Sequence, residues 1–201
     1  MGFPERLFQH PVLYRLKRRV GNALTAKDSW DPSPYLEEGL ILDLGCGPDA
    51  CVLDLSRLRR VGVDLSKPAI RRAKRAFPRG QVLVGDARCL PFRDKAFSTT
   101  LVSDVLHHIP IDTGELLSEI DRVTRHYLVL IEPLQSESGF RRWIKGAWWK
   151  LTDGGYAYLS GTEWDELVRN WEEIERLETG LYRHHLKFIG RRKPARAPAE
   201  C

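Results

Sequence analysis

Ile41-Leu42-Asp43-Leu44-Gly45-Cys46-Gly47-Pro48-Asp49-Ala50 is the stretch whose reading decides the fold. A short apolar run of strand character leads into a turn built on two glycines, and the turn leads into a helix-compatible segment. Glycine lacks a Cβ, so backbone at such a turn can approach a ligand where a side chain would collide. In an open parallel sheet the turn stands at the carboxyl end of its strand, where ligands bind. The spacing Gly45-x-Gly47-x-x-Ala50 also satisfies a loose dinucleotide fingerprint, so the turn by itself leaves the ligand open.

Outward from this turn, strand and helix signals alternate. Leu40–Leu44, Arg60–Asp64, Gln81–Val84, Phe97–Ser103 and Tyr127–Glu132 are short runs rich in Val, Ile and Leu, as expected of strands covered on both faces of a parallel sheet. Ser66 with Pro68 opens a helix over Pro68–Phe77. Asp112 and Glu115 form a capping box ahead of Leu116, Leu117, Ile120 and Val123. Repeated units of this kind predict an α/β fold with a doubly wound sheet and right-handed crossovers. After Pro133, Phe140, Trp143, Ile144, Ala147, Trp148 and Leu151 form one apolar stripe, with Arg141, Arg142, Lys145 and Lys150 off it. A helix from Thr162 places Trp164, Leu167, Val168 and Trp171 on one face. Glu173–Glu178 and His184–Gly190 then pair as an antiparallel hairpin at the sheet edge, which puts His184 and His185 on an edge strand in structural roles.

The chain thus divides into a basic N-terminal helix and linker (1–39), a domain over 40–190 with an aromatic flap at about 136–161, and a disordered basic tail over 191–201. At 201 residues, 42% hydrophobic and 29% charged, it has the size and composition of one soluble domain. No apolar run reaches the length of a bilayer span, and no secretory signal opens the chain. The expected location is the cytoplasm. Cys46, Cys51, Cys89 and Cys201 show neither CxxC nor disulfide-dense spacing and read as reduced cysteines that bind no metal. The formal charge is +5, concentrated at the two ends: residues 1–20 hold five bases and one acid, residues 191–201 four bases and one acid. The stretch between them is slightly acidic in sum, which argues against a broad face for nucleic acid.

Three carboxylates surround the glycine turn. Asp43 lies two residues before it, Asp64 ends the second strand, and Asp86 follows the third in Gly85-Asp86-Ala87. Each has two readings: a strand-end Asp caps the next helix, or it contacts a ligand, with Asp64 able to accept both hydroxyls of a ribose and Asp86 placed for an adenine amino group. The three together favour the ligand.

With these residues in hand, the stretch from about Leu40 to Pro133 resembles the class I S-adenosylmethionine-dependent methyltransferases of the small-molecule group, whose motif reads DLGCGxG. The resemblance includes Val63-Asp64-Leu65-Ser66, Leu90-Pro91-Phe92, Val105-Leu106-His107-His108-Ile109 and Glu132-Pro133. The chain departs from that group at Asp49 and Ala50, where a glycine is usual. The resemblance implies a Rossmann-like fold and S-adenosyl-L-methionine as cofactor. It places Asp43, Gly45, Cys46 and Gly47 around the methionine part, Asp64 on the ribose and Leu65 against the adenine. Asp86 and Ala87 would read the adenine edge, and Asp104 to His107, with Val105 among them, would line the methionine and acceptor side.

Methyl transfer from a sulfonium mainly requires the acceptor held in line. A base matters for hydroxyl, ammonium or carbon-acid acceptors, and His107 and His108 are the candidates; packing or hydrogen bonding at the strand exit is their other reading. The aromatic stretch Phe140–Tyr158 has two readings, a flap over a small apolar acceptor, lipid-like or quinone-like, or a surface helix packing its stripe on the domain. The basic faces beside residues 140–151 and 3–20 suit peripheral contact with a membrane. Three rival functions remain. A nicotinamide-dependent oxidoreductase leaves Asp43 and Asp86 unexplained and would need a Tyr-x-x-x-Lys pair, which is absent. A non-catalytic or repurposed cofactor-binding protein would keep the same site. A nucleic-acid methyltransferase ranks lowest, because the Asn/Asp-Pro-Pro-Tyr motif is absent.

Overall fold

The computed structural model describes residues 33–36, 39–48, 59–76, 78, 80–109, 114–135, 139, 158–169, 171, 174–182 and 185–193. The helix predicted over Phe3–Val20, the segment 49–58, Asp112 of the capping box, His184 and the stripe Phe140–Leu151 lie outside them.

The strands are β1 (Ile41–Leu44), β2 (Arg60–Asp64), β3 (Gln81–Val84), β4 (Phe97–Ser103), β5 (Thr124–Pro133), β6 (Ile174–Tyr182) and β7 (His185–Arg192). Among the described residues the helices are α1 (Lys67–Ala76), α2 (Gly114–Val123) and α3 (Gly161–Arg169), with 3-10 turns at Ser33–Tyr35 and Leu106–His108. The seven strands form one sheet in the order β3-β2-β1-β4-β5-β7-β6. Pairs from β3 through β5 are parallel, and β5–β7 and β7–β6 are antiparallel. This is a Rossmann-like, mostly parallel sheet closed by an antiparallel C-terminal hairpin, as the alternation of strand and helix signals implies. The order reverses beside β1, so the Gly45 turn stands at the topological switch point, where open α/β sheets bind ligands.

Burial explains why the central strands read as continuous apolar runs. All four residues of β1 are buried, and their side chains alternate between two cores. Leu42, Leu44, Leu128, Leu130, Leu186 and Phe188 face Trp164, Trp171, Leu116 and Ile120. Ile41, Leu101, Val129 and Ile131 face Leu36 on the other side. Trp164 and Trp171, placed on one face by the sequence pattern, both enter the larger core. Two buried threonine hydroxyls of β4 are satisfied: Thr100 Oγ1 and Thr124 Oγ1 lie 2.6 Å apart, and Thr99 Oγ1 donates to the Tyr35 carbonyl at 2.6 Å.

Helix starts follow the capping rules. Ser66 Oγ accepts the Ala69 amide at 3.3 Å ahead of α1, which begins one residue before the predicted Pro68. Ahead of α3, Ser160 Oγ accepts the Glu163 amide at 3.4 Å while Glu163 Oε2 accepts the Ser160 amide at 2.7 Å. That reciprocal box, Ser160-x-x-Glu163, starts the helix at Gly161 rather than Thr162.

Two expectations are corrected. His185 is on an interior strand, not at the edge: β7 lies between β5 and β6, and His185 pairs with Pro133 and Tyr182. The C-terminal boundary also moves, because β7 continues through Arg192 instead of releasing a tail at Arg191. Arg191 pairs with Tyr127 and Glu175 across the sheet. The Arg192 guanidinium donates to the Asp121 carbonyl, to Asp121 Oδ1 at 2.8 Å and to the Thr124 carbonyl at 3.3 Å. Those bonds hold a basic terminus down that composition alone reads as loose. Arg192→Ala, which leaves these largely shielded acceptors without their donor, should lower stability by about 1–3 kcal/mol, read from chemical denaturation.

Candidate functional site

The carboxyl ends of β1 to β4 converge on the glycine corner. Gly45 and Gly47 take φ of +70° and +64°, conformations that disfavour any side chain. The corner folds back onto β2: the Gly45 and Cys46 amides donate to the Val63 carbonyl at 2.7 and 3.1 Å. Asp64 finishes the knot. Its Oδ2 accepts the Gly47 amide at 2.9 Å, its Oδ1 accepts the Ser66 amide at 2.8 Å, and its carbonyl accepts the Gly85 amide at 3.1 Å. The carboxylate therefore braces the corner while standing at its mouth.

From the opposite side, a Cβ built on Gly45 would overlap the Val105 side chain. Residues sixty apart in sequence thus share one wall, which is why a glycine is required there. Leu65, beside the corner, is 69% exposed, a large apolar surface at the mouth of a polar notch. A left-handed glycine corner, a carboxylate at its rim and an apolar platform next to it fit a purine nucleoside. These features match the cofactor expected from the sequence.

The remaining expected residues separate by role. Asp43 is buried, with Arg60 Nη1 3.5 Å from its Oδ2. Cys46 contributes backbone to the corner, but its thiol is buried with Ile70, Ala73 and Val82, against Gly62. Burial foremost, then the charges of Asp43 and Asp64, push that thiol far above its ordinary range. Asp86 sits at the end of the third strand as expected, yet its carboxylate is gripped by Arg88: Nε to Oδ1 at 3.0 Å, Nη2 to Oδ2 at 2.6 Å, and the Arg88 amide to Oδ1 at 2.9 Å. The Arg88 side chain chiefly holds the Asp86 carboxyl below its usual range. A carboxylate depressed in this way keeps its partner above the ordinary carboxylate range and loses it only as pH falls through the lowered value. Ala87 packs at the margin of the larger core.

Beyond β4, Asp104 adopts φ of +55°, its amide donating to the Ile131 carbonyl at 2.8 Å. Its Oδ1 lies 3.8 Å from His185 Nε2. The next turn carries both candidate histidines, and the structure treats them differently. His107 is 2% exposed; its Nδ1 lies 2.8 Å from Glu132 Oε2, and its ring stacks on Tyr158 at 4.8 Å. His108 is exposed, its ring 4.1 Å from that of His107.

Glu132 is the residue sequence reasoning missed. Buried at 2% exposure, it accepts the Val105 and Leu106 amides on Oε1 at 2.8 and 2.9 Å while holding His107 on Oε2. The signal was present: a lone acid closing an apolar strand needs partners to be buried. Arg122 was missed too. It donates to the carbonyls of Leu90 and Phe92 and to Glu119, whose carboxylate also accepts the Leu90 amide, so α2 clamps the loop after Asp86.

Residues 42–130 match the family model described as a methyltransferase domain. No curated protein matches the chain. Among solved structures it is similar to an S-adenosylmethionine-dependent methyltransferase of Thermotoga maritima, described as a possible histamine N-methyltransferase, at 19% identity and TM-score 0.70 over 94% of this chain and 99% of that one. It is similar to geranyl diphosphate C-methyltransferase of Streptomyces coelicolor at 14% identity and TM-score 0.64, over 90% and 81% of the two chains. A third is the magnesium protoporphyrin IX methyltransferase of Synechocystis, at 17% identity and TM-score 0.61 over 96% and 89%. Residues 42–130 thus match a methyltransferase domain, and the chain shares the fold of the S-adenosylmethionine-dependent methyltransferases it is similar to.

Thiol reactivity separates the two described cysteines. Under native conditions an aromatic disulfide reagent should label exposed Cys89 and leave Cys46 unmodified until unfolding, as resolved by peptide mass. Glu132→Ala, which orphans two amides and a histidine, should cost about 2–4 kcal/mol in denaturant titration.

Proposed function

We propose that this methyltransferase domain transfers a methyl group to a small apolar or lipid-like acceptor, in line, at the mouth formed by Gly45, Val105 and His108. When bound, the cofactor supplies an activated methyl on a sulfonium. Asp43, Gly45, Cys46 through its backbone, Gly47, Asp104 and Val105 hold its methionine part. Asp64 takes the ribose, Leu65 covers the adenine, and Asp86 and Ala87 read its edge. The observation that carries the reading is the shared wall of Gly45 and Val105, since it brings the two halves of the sheet's carboxyl edge to one point.

His107 and His108 divide the work. His107, buried on Glu132, positions the turn. His108, exposed beside it, takes the proton of an acceptor that must lose one. The apolar acceptor is supported by the aromatic sequence of the flap at about 136–161, and a small acceptor by the geranyl diphosphate bound in the Streptomyces coelicolor enzyme. No helix among the described residues is long and apolar enough to cross a membrane. We place the protein in the cytoplasm, with peripheral membrane contact through residues 3–20 and 140–151.

Calorimetry with S-adenosylhomocysteine tests the cofactor assignment. The wild type should bind, and Asp64→Asn should lose at least about tenfold in affinity, since charge-assisted hydrogen bonds are the strong ones. No heat with the wild type refutes the reading. Release of S-adenosylhomocysteine across an acceptor panel then tests transfer, and binding without acceptor-dependent release would leave a cofactor-binding protein. With a turned-over acceptor, His108→Gln should lower kcat by about 10²-fold or more while cofactor affinity holds.

A further inference from the structure

The slightly acidic sum between the two basic ends conceals a polarised body. Residues 59–79 contain eight cations, Arg59, Arg60, Lys67, Arg71, Arg72, Lys74, Arg75 and Arg79, against the single acid Asp64. The rest of that body is correspondingly acidic. Five of the cations lie on α1, a ten-residue helix with no acidic side chain. Its buried face is Ile70 and Ala73, and Lys67, Arg71, Lys74 and Arg75 are exposed at i, i+4, i+7 and i+8. They form one row about 12 Å long at the rise of an α-helix.

Elsewhere several arginines meet acids, Arg88 with Asp86, Arg122 with Asp94 and Glu119, Arg176 with Asp165, and Arg191 with Glu175, whereas exposed Arg59, Arg93 and Arg125 make no ion pair among the described residues but lie on separate segments. No ion pair among the described residues involves Lys67, Arg71, Lys74 or Arg75. Like charges three and four apart destabilise a helix by a few tenths of a kcal/mol per pair, and Lys67 stands at the helix end whose dipole repels a cation. A row assembled against these costs is suited to an external polyanion.

We infer that α1 is a docking surface for the phosphodiester backbone of a nucleic-acid duplex. The row is rigid and purely cationic. Its exposed positions carry no aromatic ring on which single-stranded bases could stack and no large aliphatic side chain to enter a lipid interface. Contacts of this type position a protein without reading sequence. The helix packs on β2 and β3, at the sheet end away from β4, β5 and the histidine turn. The duplex is therefore a tether and not the methyl acceptor, and the inference stands apart from the choice of acceptor.

The test is fluorescence anisotropy of the full chain with a labelled duplex of about 20 base pairs, as DNA and as RNA, at about 50 and 200 mM salt. The expected result is binding at the lower salt that weakens steeply at the higher. Arg71→Gln/Lys74→Gln/Arg75→Gln should lose at least about tenfold in affinity and flatten the log–log salt slope by roughly 2 to 3. Arg71→Lys/Arg75→Lys, which keeps the charge, should keep binding. Unchanged affinity of the triple variant assigns any binding to the basic ends and overturns the inference. So does absence of duplex binding by the wild type at low salt, or capture by phosphatidylserine vesicles, in place of duplex, that the triple variant loses.

Discussion

A single buried carboxylate holds the functional end of this domain together. Glu132, at the end of β5, receives two backbone amides and one imidazole from the turn that follows β4. A carboxylate in apolar surroundings survives there only because its oxygens are engaged. Those bonds fix Val105, and Val105 closes against the left-handed Gly45. The Gly45 corner is in turn braced by Asp64 and by the Val63 carbonyl of β2. One chain of contacts thus runs from β5 through β4 and β1 to β2, crossing the switch point at which the sheet reverses its order.

This arrangement separates the tasks of residues that look equivalent in one dimension. The adjacent histidines differ in burial, so one is enclosed against Glu132 and the other meets solvent. The acids expected around the nucleoside differ as well. Asp64 braces the corner through backbone amides, Asp43 is buried beside Arg60, and Asp86 is held by Arg88. Charge is also distributed unevenly over the molecule, with a cationic helix directly after Asp64 and compensating acids elsewhere. Net charge, an average over the whole surface, carries no trace of that polarity.

The strands of the parallel half were legible because each is an unbroken apolar run, which both-sided burial demands. The glycine corner was legible because backbone at positive φ selects glycine so strongly. The strand-end acids at 43, 64 and 86 were legible from position alone. What escaped the reading depended on partners far away in the chain. The Glu132 bonds span 25 to 27 residues, the Arg122 contacts to Leu90 and Phe92 span 32 and 30, and the Arg192 clamp on Asp121 spans 71. A one-dimensional pattern holds no record of such pairs. Arg88 was different: it lies two residues from Asp86 and was overlooked because an exposed arginine after a turn has no distinctive signature.

From the sequence alone came the class of fold, the order of strands and helices, and the place of the glycine turn, since these follow from local periodicity and from the steric demands of single residues. The tertiary structure decided that β7 lies inside the sheet, that the strand runs through Arg192, that His107 is buried against Glu132 while His108 is accessible, and that Asp86 is already paired. Each of these depends on which distant side chain fills the neighbouring space, and burial and pairing exist only once the chain has closed upon itself.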